Sequence, residues 1–337
     1  MSAAAIDLAL APTETGWRAW HSESLPVRLG VSSCLLGASV RYDGGHARDR
    51  FLADVLAPWV EWAPVCPEVE LGLGTPRASL RLVDDGDGPR LQTRSTGEDH
   101  GEAVRELAER RDRELGALDG FVLKRASPSC ALGRLRVYGA DGEVRRRDGV
   151  GAFTQELRAR RPELPMEEEG RLSDSGLREA FLERVFCRNR WRLLVHRGLS
   201  RERLVAFHTA HKMLLRSRDE AAYRRLGRIV GSIGRKPDAE VFEEYRAGFE
   251  ACLRVRATRA KHVNVLEHAL GYLKRSLGSP EKREALEAIR AYRRGLVPLA
   301  VPLAILRFSI VQHGVGYLID QLYFEPHPEE LMLRSHL

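Results

Sequence analysis

This sequence has few cysteines, and none of them are arranged as pairs. The five are Cys34, Cys66, Cys130, Cys187 and Cys252, and no two stand at CxxC spacing. An odd, dispersed set argues against a disulfide framework and against a compact zinc ribbon. Long hydrophobic runs are also missing. No stretch approaches the roughly 20 apolar residues that a bilayer span needs. The nearest, Gly295–Ile305, is interrupted by Pro298 and Pro302. Met1 to Pro12 carries no basic region ahead of a long apolar core, so no secretory leader is expected. A cytoplasmic setting is expected instead, where thiols stay reduced and can hold metal. Internal repeats and low-complexity tracts are absent as well.

What is present suits a two-domain globular protein. The chain has 337 residues, 43% hydrophobic and 30% charged, enough for two cores. The net charge of +7 is unevenly spread. Residues 191–337 hold 26 Lys and Arg against 16 Asp and Glu, a balance of +10, whereas residues 1–190 hold 28 against 31, a balance of −3. Such a split suggests a polyanion-binding module joined to a catalytic one. An Arg-rich solvated helix surface gives the same numbers, so charge alone does not decide.

Residues 1–26 read as a loose extension from which Trp17 and Trp20 dock onto the body. Residues 27–190 alternate short apolar runs with amphipathic stretches, the signature of an α/β domain with a mainly parallel sheet. Buried strands are expected at Val27–Val31, Trp59–Val65 and Phe121–Leu123, and helices at Arg48–Leu56, Gly101–Ala117 and Ser175–Cys187. Residues 191–337 read as all-α, with helices at Arg201–Ser217, Glu220–Gly234, Pro237–Val255, Arg259–Ser276 and Pro280–Arg294. Pro280 near a helix start and Gly295 after its end follow the usual asymmetry of helix termini.

Three cysteines stand in turn-forming sequences where apolar runs end: Val31-Ser-Ser-Cys-Leu-Leu-Gly37, Pro64-Val-Cys-Pro-Glu68 and Ser127-Pro-Ser-Cys-Ala-Leu-Gly133. A parallel sheet would bring Cys34, Cys66 and Cys130 to one edge. Three soft thiolates from separate loops suit an iron–sulfur cluster better than a structural zinc site, which takes four ligands. His46 is the available fourth donor. Lone cysteines also serve as small core residues; the nearby Pro and Gly residues, which turn backbone amides toward a cluster, favour ligation. Glu68, two residues beyond Cys66, is a candidate general base or acid. Ser127 and Ser129 either bond substrate and cluster or form the turn, and Asp43 in Arg41-Tyr-Asp-Gly-Gly45 either lines the pocket or makes a turn. Arg81 and Thr93–Gly97 are weaker candidates for a polar rim.

Val31–Gly37, Arg41–Gly45, Val65–Gly74, Ser127–Gly133 and Gly149–Phe153 together resemble the thiouracil desulfidase family, TudS, across nearly all of residues 27–185. The resemblance implies a [4Fe–4S] cluster on Cys34, Cys66 and Cys130, with one iron open to substrate, and catalytic roles for Glu68 and for a serine of the Ser127-Pro-Ser-Cys element, Ser127 ahead of Ser129. It also implies removal of a thiocarbonyl sulfur without net electron transfer.

In the second half, His208 and His211 stand three apart on one helical face, without the carboxylate of a metalloprotease site, and read as a polar face beside Lys212. Lys261, His262, Asn264, Tyr272 and Lys274 mix cations, an amide and an aromatic, a set suited to RNA phosphate and base contacts. Residues 204–333 are similar to the YbgA-type domain in four stretches, HTAHKMLL, KHVNVLEHALGYLK, YRRGLVPLAVPL and QLYFEPHPEELMLR. A desulfidase domain followed by this one resembles the RudS-type desulfidases. That resemblance implies 4-thiouridine in tRNA as substrate and tRNA as partner, with Lys261, His262 and Lys274 as candidate contacts.

Overall fold

The structure, a computed structural model, describes residues 15–335. The first 14 residues of the expected extension, and with them the reading of Met1 to Pro12, lie outside the described residues. Backbone contacts divide the chain into two compact units, one of residues 26–181 and one of residues 1–25 with 182–337.

The first unit contains β1 (Arg28–Ser32), β2 (Glu61–Val65), a one-turn α1 (Pro67–Glu70), β3 (Leu80–Asp84), β4 (Pro89–Thr93) and α2 (Gly101–Leu115). There follow β5 (Gly120–Leu123), β6 (Leu135–Tyr138), β7 (Val144–Gly149), α3 (Ala152–Arg160) and β8 (Met166–Glu168). One sheet, in the order β2-β1-β5-β8, is parallel throughout. Leu29, Val31, Phe121, Val122 and Leu123 are buried, as central parallel strands covered on both faces require. Gly30 is needed here, because a Cβ on it would lie 2.3 Å from the Phe121 ring. The helix α2 turns Val104, Leu107, Ala108 and Leu115 inward, a spacing that keeps one face apolar.

A second sheet, β4-β3-β6-β7, was not expected. It pairs β3 with β6 in parallel and adds antiparallel hairpins at both ends. Its outer strand β7 reads Val-Arg-Arg-Arg-Asp-Gly and is mostly exposed, so no apolar alternation announced it. The helix expected at Arg48–Leu56 is reduced to a π-turn over Phe51–Leu56. The segment before it is tied elsewhere: Ala47 N–H bonds Cys34 O at 3.0 Å and Asp49 N–H bonds Leu35 O at 2.9 Å.

The second unit is helical, as expected: α4 (Ser175–His196, in which the division between units falls), α5 (Arg201–Arg218), α6 (Glu220–Val230), α7 (Asp238–Arg254), α8 (Arg259–Leu273), α9 (Ser279–Arg294), α10 (Ala300–Gln312) and α11 (Gly316–Ile319). Residues 15–25 belong to this unit; Trp17 is buried and Trp20 packs edge-on against Phe207 at 5.5 Å. Pro302 is accommodated in the first turn of α10, where its missing N–H has no partner to lose.

Charge is buried in this core. Glu183 accepts from Arg218 Nε at 3.0 Å and from Arg334 Nη2 at 3.1 Å, and all three side chains are buried. Burial alone would raise the Glu183 carboxyl, but Arg218 and Arg334 outweigh it and hold it at about 2. Its stabilising contribution is therefore complete above the ordinary value of 4.5 and is lost as pH falls toward 2. Replacing one partner leaves the others charged and buried. Glu183→Gln should therefore cost about 3–5 kcal/mol, read as a lower urea midpoint for the helical circular-dichroism signal. An unchanged midpoint would contradict this reading of the pair.

Candidate active site

Parallel sheets bind ligands beyond the carboxyl ends of their strands. Here the order β2-β1-β5 places three such loops side by side, and each carries a cysteine. Cys34 lies in a tight turn, Ser33–Leu36, that follows β1 and is closed by Gly37 at φ 101°, a conformation that favours glycine. Cys66 follows β2 directly and caps α1, whose first residue is Pro67; its N–H bonds the Glu70 carboxylate at 3.1 Å. Cys130 lies in the loop between β5 and β6.

That last loop is held from several sides. Thr154 Oγ1 donates to Cys130 O at 2.6 Å, and the amides of Gly151 and Phe153 donate to Ala131 O and Ser129 O at 2.8 and 3.0 Å. A Cβ on Gly151 would come within 2.6 Å of the Ser129 backbone, so only glycine permits this approach. Ala126 sits at φ 60° at the base of the loop, a strained conformation of the kind found at functional sites.

Cys34, Cys66 and Cys130 line one cavity of about 410 Å³, together with Glu68, Ser127 and Arg77. The Ser127 hydroxyl accepts from the amides of Ser129 and Cys130 at 3.3 and 3.1 Å, which leaves its own proton to donate to Glu68 Oε1 at 3.2 Å. Arg77 pairs with Glu68 Oε2, and its side chain is only 4% exposed. It also donates to Gly74 O at 2.9 Å. Both carboxylate oxygens of Glu68 are thus fixed. Lys124, also on the cavity wall, pairs with Glu169.

Burial pushes the Cys34 thiol up to about 11, against the opposing pull of Lys124. Burial likewise raises Cys66, and raises Cys130 well above the ordinary thiol value. Desolvated thiols of this kind are poor free nucleophiles; a bound cationic centre is what favours their thiolate form. Among the described residues no three His, Cys, Asp or Glu side chains converge on a point that would hold one metal ion. A cluster takes its thiolates at separate corners, so three thiols spread around one cavity fit that group better than a single ion. Cys187 and Cys252 differ: they are buried among helices, with Arg190 and the Leu215 carbonyl as hydrogen-bond partners.

The other expected site residues are placed as follows. Ser129 is buried, and its hydroxyl has no partner among the described residues. Asp43 lies outside the cavity lining, where it accepts from Gly45 N at 3.0 Å and pairs with Arg41 at 3.4 Å; its neighbour Tyr42 does line the cavity. His46 is exposed and accepts from Arg48 N. Thr93 is buried against His100 at 2.8 Å. In the helical unit Lys274 is exposed, and Lys261 donates to Arg218 O. His262, expected at an RNA-facing surface, is instead buried with Nδ1 3.0 Å from the Tyr323 hydroxyl. It shares the inward face of α8 with Val263, Val265 and Leu266. His208 and His211 are also internal, 3.1 Å from Tyr245 Oη and 2.7 Å from Phe207 O, rather than a polar face. Arg77 and Lys124 were missed, because their partners are nine and 45 residues away and no local pattern joins them.

Residues 29–169 match the family described as 2-thiouracil desulfurase, and residues 212–328 match one described as a protein of unknown function, DUF1722. The chain is 29% identical over 157 residues to an uncharacterized protein, YbgA, of Escherichia coli (strain K12), covering 46% of this chain and 93% of that one. Among solved structures it is similar to a [4Fe-4S]-dependent thiouracil desulfidase, TudS, at 32% identity, covering 44% of this chain and 94% of that chain with a TM-score of 0.34.

Proposed function

Since residues 29–169 form a domain of the 2-thiouracil desulfurase family and residues 212–328 a DUF1722 domain, we propose that this chain exchanges the thiocarbonyl sulfur of a pyrimidine for oxygen. The reaction balances as C=S plus water giving C=O plus hydrogen sulfide, with no electrons gained or lost. The cofactor is a [4Fe–4S] cluster on Cys34, Cys66 and Cys130, which supplies a Lewis-acidic iron for the soft sulfur. The observation that carries this reading is the convergence of three thiols and a doubly anchored carboxylate on one cavity.

Glu68 takes a proton from the attacking water or returns one to the ring nitrogen. Ser127, its oxygen fixed by two amides, aims its proton at Glu68 and so sets the direction of the carboxylate. Arg77 holds the other carboxylate oxygen in place. Ser129, buried and off the cavity wall, has no such path to substrate.

The substrate is 4-thiouridine in tRNA, and uridine is the product. The basic helical half, at +10, supplies phosphate contacts; the residues proposed are Lys261 on α8 and Lys274 just after its end, with His262 serving the core. A stacked base must leave its neighbours to reach the cavity. A free thiopyrimidine is the competing substrate, favoured by a cavity volume within the range of small-molecule sites. The test is anaerobic reconstitution followed by nucleoside analysis of thiolated tRNA across a salt series. Loss of 4-thiouridine with gain of uridine, weakening as salt rises, is expected. Desulfuration of free 2-thiouracil with tRNA left untouched would establish the competitor.

A further inference from the structure

The cysteine cavity has a neighbour. A groove of about 330 Å³ lies along the second sheet and shares Ser79, Leu80, Ala126 and Pro128 with the cavity wall. Its lining includes Arg81, Arg94, Arg134, Arg136 and Tyr138 and no acidic residue.

The four arginines come from separate places in the sequence and are brought together by the sheet. Arg81 is on β3 and Arg136 on β6; the parallel register sets Leu82 beside Val137, so one position earlier Arg81 stands beside Arg136. Arg94 N–H bonds Ser79 O at 2.9 Å, which brings the end of β4 to the same place. Arg134 is held at φ 60° just before β6.

Like charges set beside one another on adjacent strands destabilise a sheet. Among the described residues none of the four has an ion-pair partner. Three carboxylates of the same strands and turns pair with other arginines: Asp84 with Arg146, Asp99 with Arg90 and Asp141 with Arg145. Arg81 Nε is buried without a hydrogen-bond partner, and its guanidinium lies 5.7 Å from the Tyr138 ring centre. An anion is the missing counterpart, and guanidinium forks match phosphate oxygens.

We propose that this groove binds phosphate of a thiolated nucleotide while its base occupies the adjoining cysteine cavity. The desulfidase unit then recognises nucleotide phosphate by itself, apart from any affinity supplied by the helical unit. The proposal rests on the cysteine cavity as the place where the base reacts. The phosphate belongs either to the target nucleotide or to the flanking strand, and two probes separate these.

The experiment uses the full chain, with labelled oligouridylate as one probe and uridine 5′-monophosphate as the other. The variants are the Arg134→Gln/Arg136→Gln pair and, independently, Arg94→Gln on another strand. Arg158→Gln, an exposed position on α3, is the control. Two single-strand phosphates contribute about 0.7 each to the salt slope, so the double variant should flatten it by about 1.4. Its oligouridylate affinity should fall by roughly tenfold or more at low salt. Weakening toward oligouridylate alone assigns the groove to the flanking strand; weakening toward the monophosphate as well assigns it to the target nucleotide. If the double variant and Arg94→Gln bind both probes as the parent and Arg158→Gln do, the groove is not a phosphate site. This readout needs neither cluster nor turnover, so it stands or falls separately from the desulfidase reading.

Discussion

Cys66→Ala is expected to yield a folded protein that holds no stable cluster and releases no sulfide above background. The thiol is only partly buried at the end of β2, so its loss removes a ligand with little packing. Cys34→Ala and Cys130→Ala should behave alike, since each removes one of three corners. Cys252→Ala is the discriminating control: that thiol is buried at a carbonyl in the helical unit and is not part of the cavity lining. Iron per chain and the visible absorbance of the reconstituted protein report the outcome directly. Full iron loading in Cys66→Ala, or its loss in Cys252→Ala, would overturn the ligand assignment.

Glu68→Gln should do the opposite, retaining the cluster and losing turnover. The amide keeps the shape of the side chain and can still meet Ser127, but it cannot accept a proton and no longer pairs as an anion with Arg77. Losing a general base typically slows a reaction by about 10²–10⁴-fold. The paired measurement is cluster absorbance with the rate of sulfide release at saturating 2-thiouracil. Parent-like turnover would remove Glu68 from the chemistry. Loss of the cluster would instead make it a structural support.

The strands that position this site were legible because β1 and β5 are largely buried and read as short, mostly apolar runs. The cysteines followed from them, since each stands where a run ends. The helices of the second unit were legible from their spacing; α9 begins with Pro280 in its first turn and ends at Gly295, φ 78°. The second sheet was not legible. Its edge strand is exposed and arginine-rich, so neither alternation nor apolarity marks it. The same composition hid half of the groove: Arg81 and the Thr93–Gly97 segment read as a polar rim, but in a chain with 30% charged residues Arg134 and Arg136 have no local signature, and the β3–β6 pairing is what brings them to Arg81. Arg77 was invisible for a like reason. Asp43 carried the opposite ambiguity, because Asp-Gly is a turn signal first; its carboxylate caps the Gly45 amide.

The central claim is that this chain replaces a thiocarbonyl sulfur by water-derived oxygen on a three-cysteine cluster. The most direct test is a single incubation of the anaerobically reconstituted protein with 2-thiouracil in oxygen-18 water, without any added reductant or oxidant. The expected result is one sulfide released per uracil formed, with the heavy isotope in the product carbonyl. Product formed without sulfide, sulfide formed without isotope, or a strict demand for an external electron donor would each contradict it.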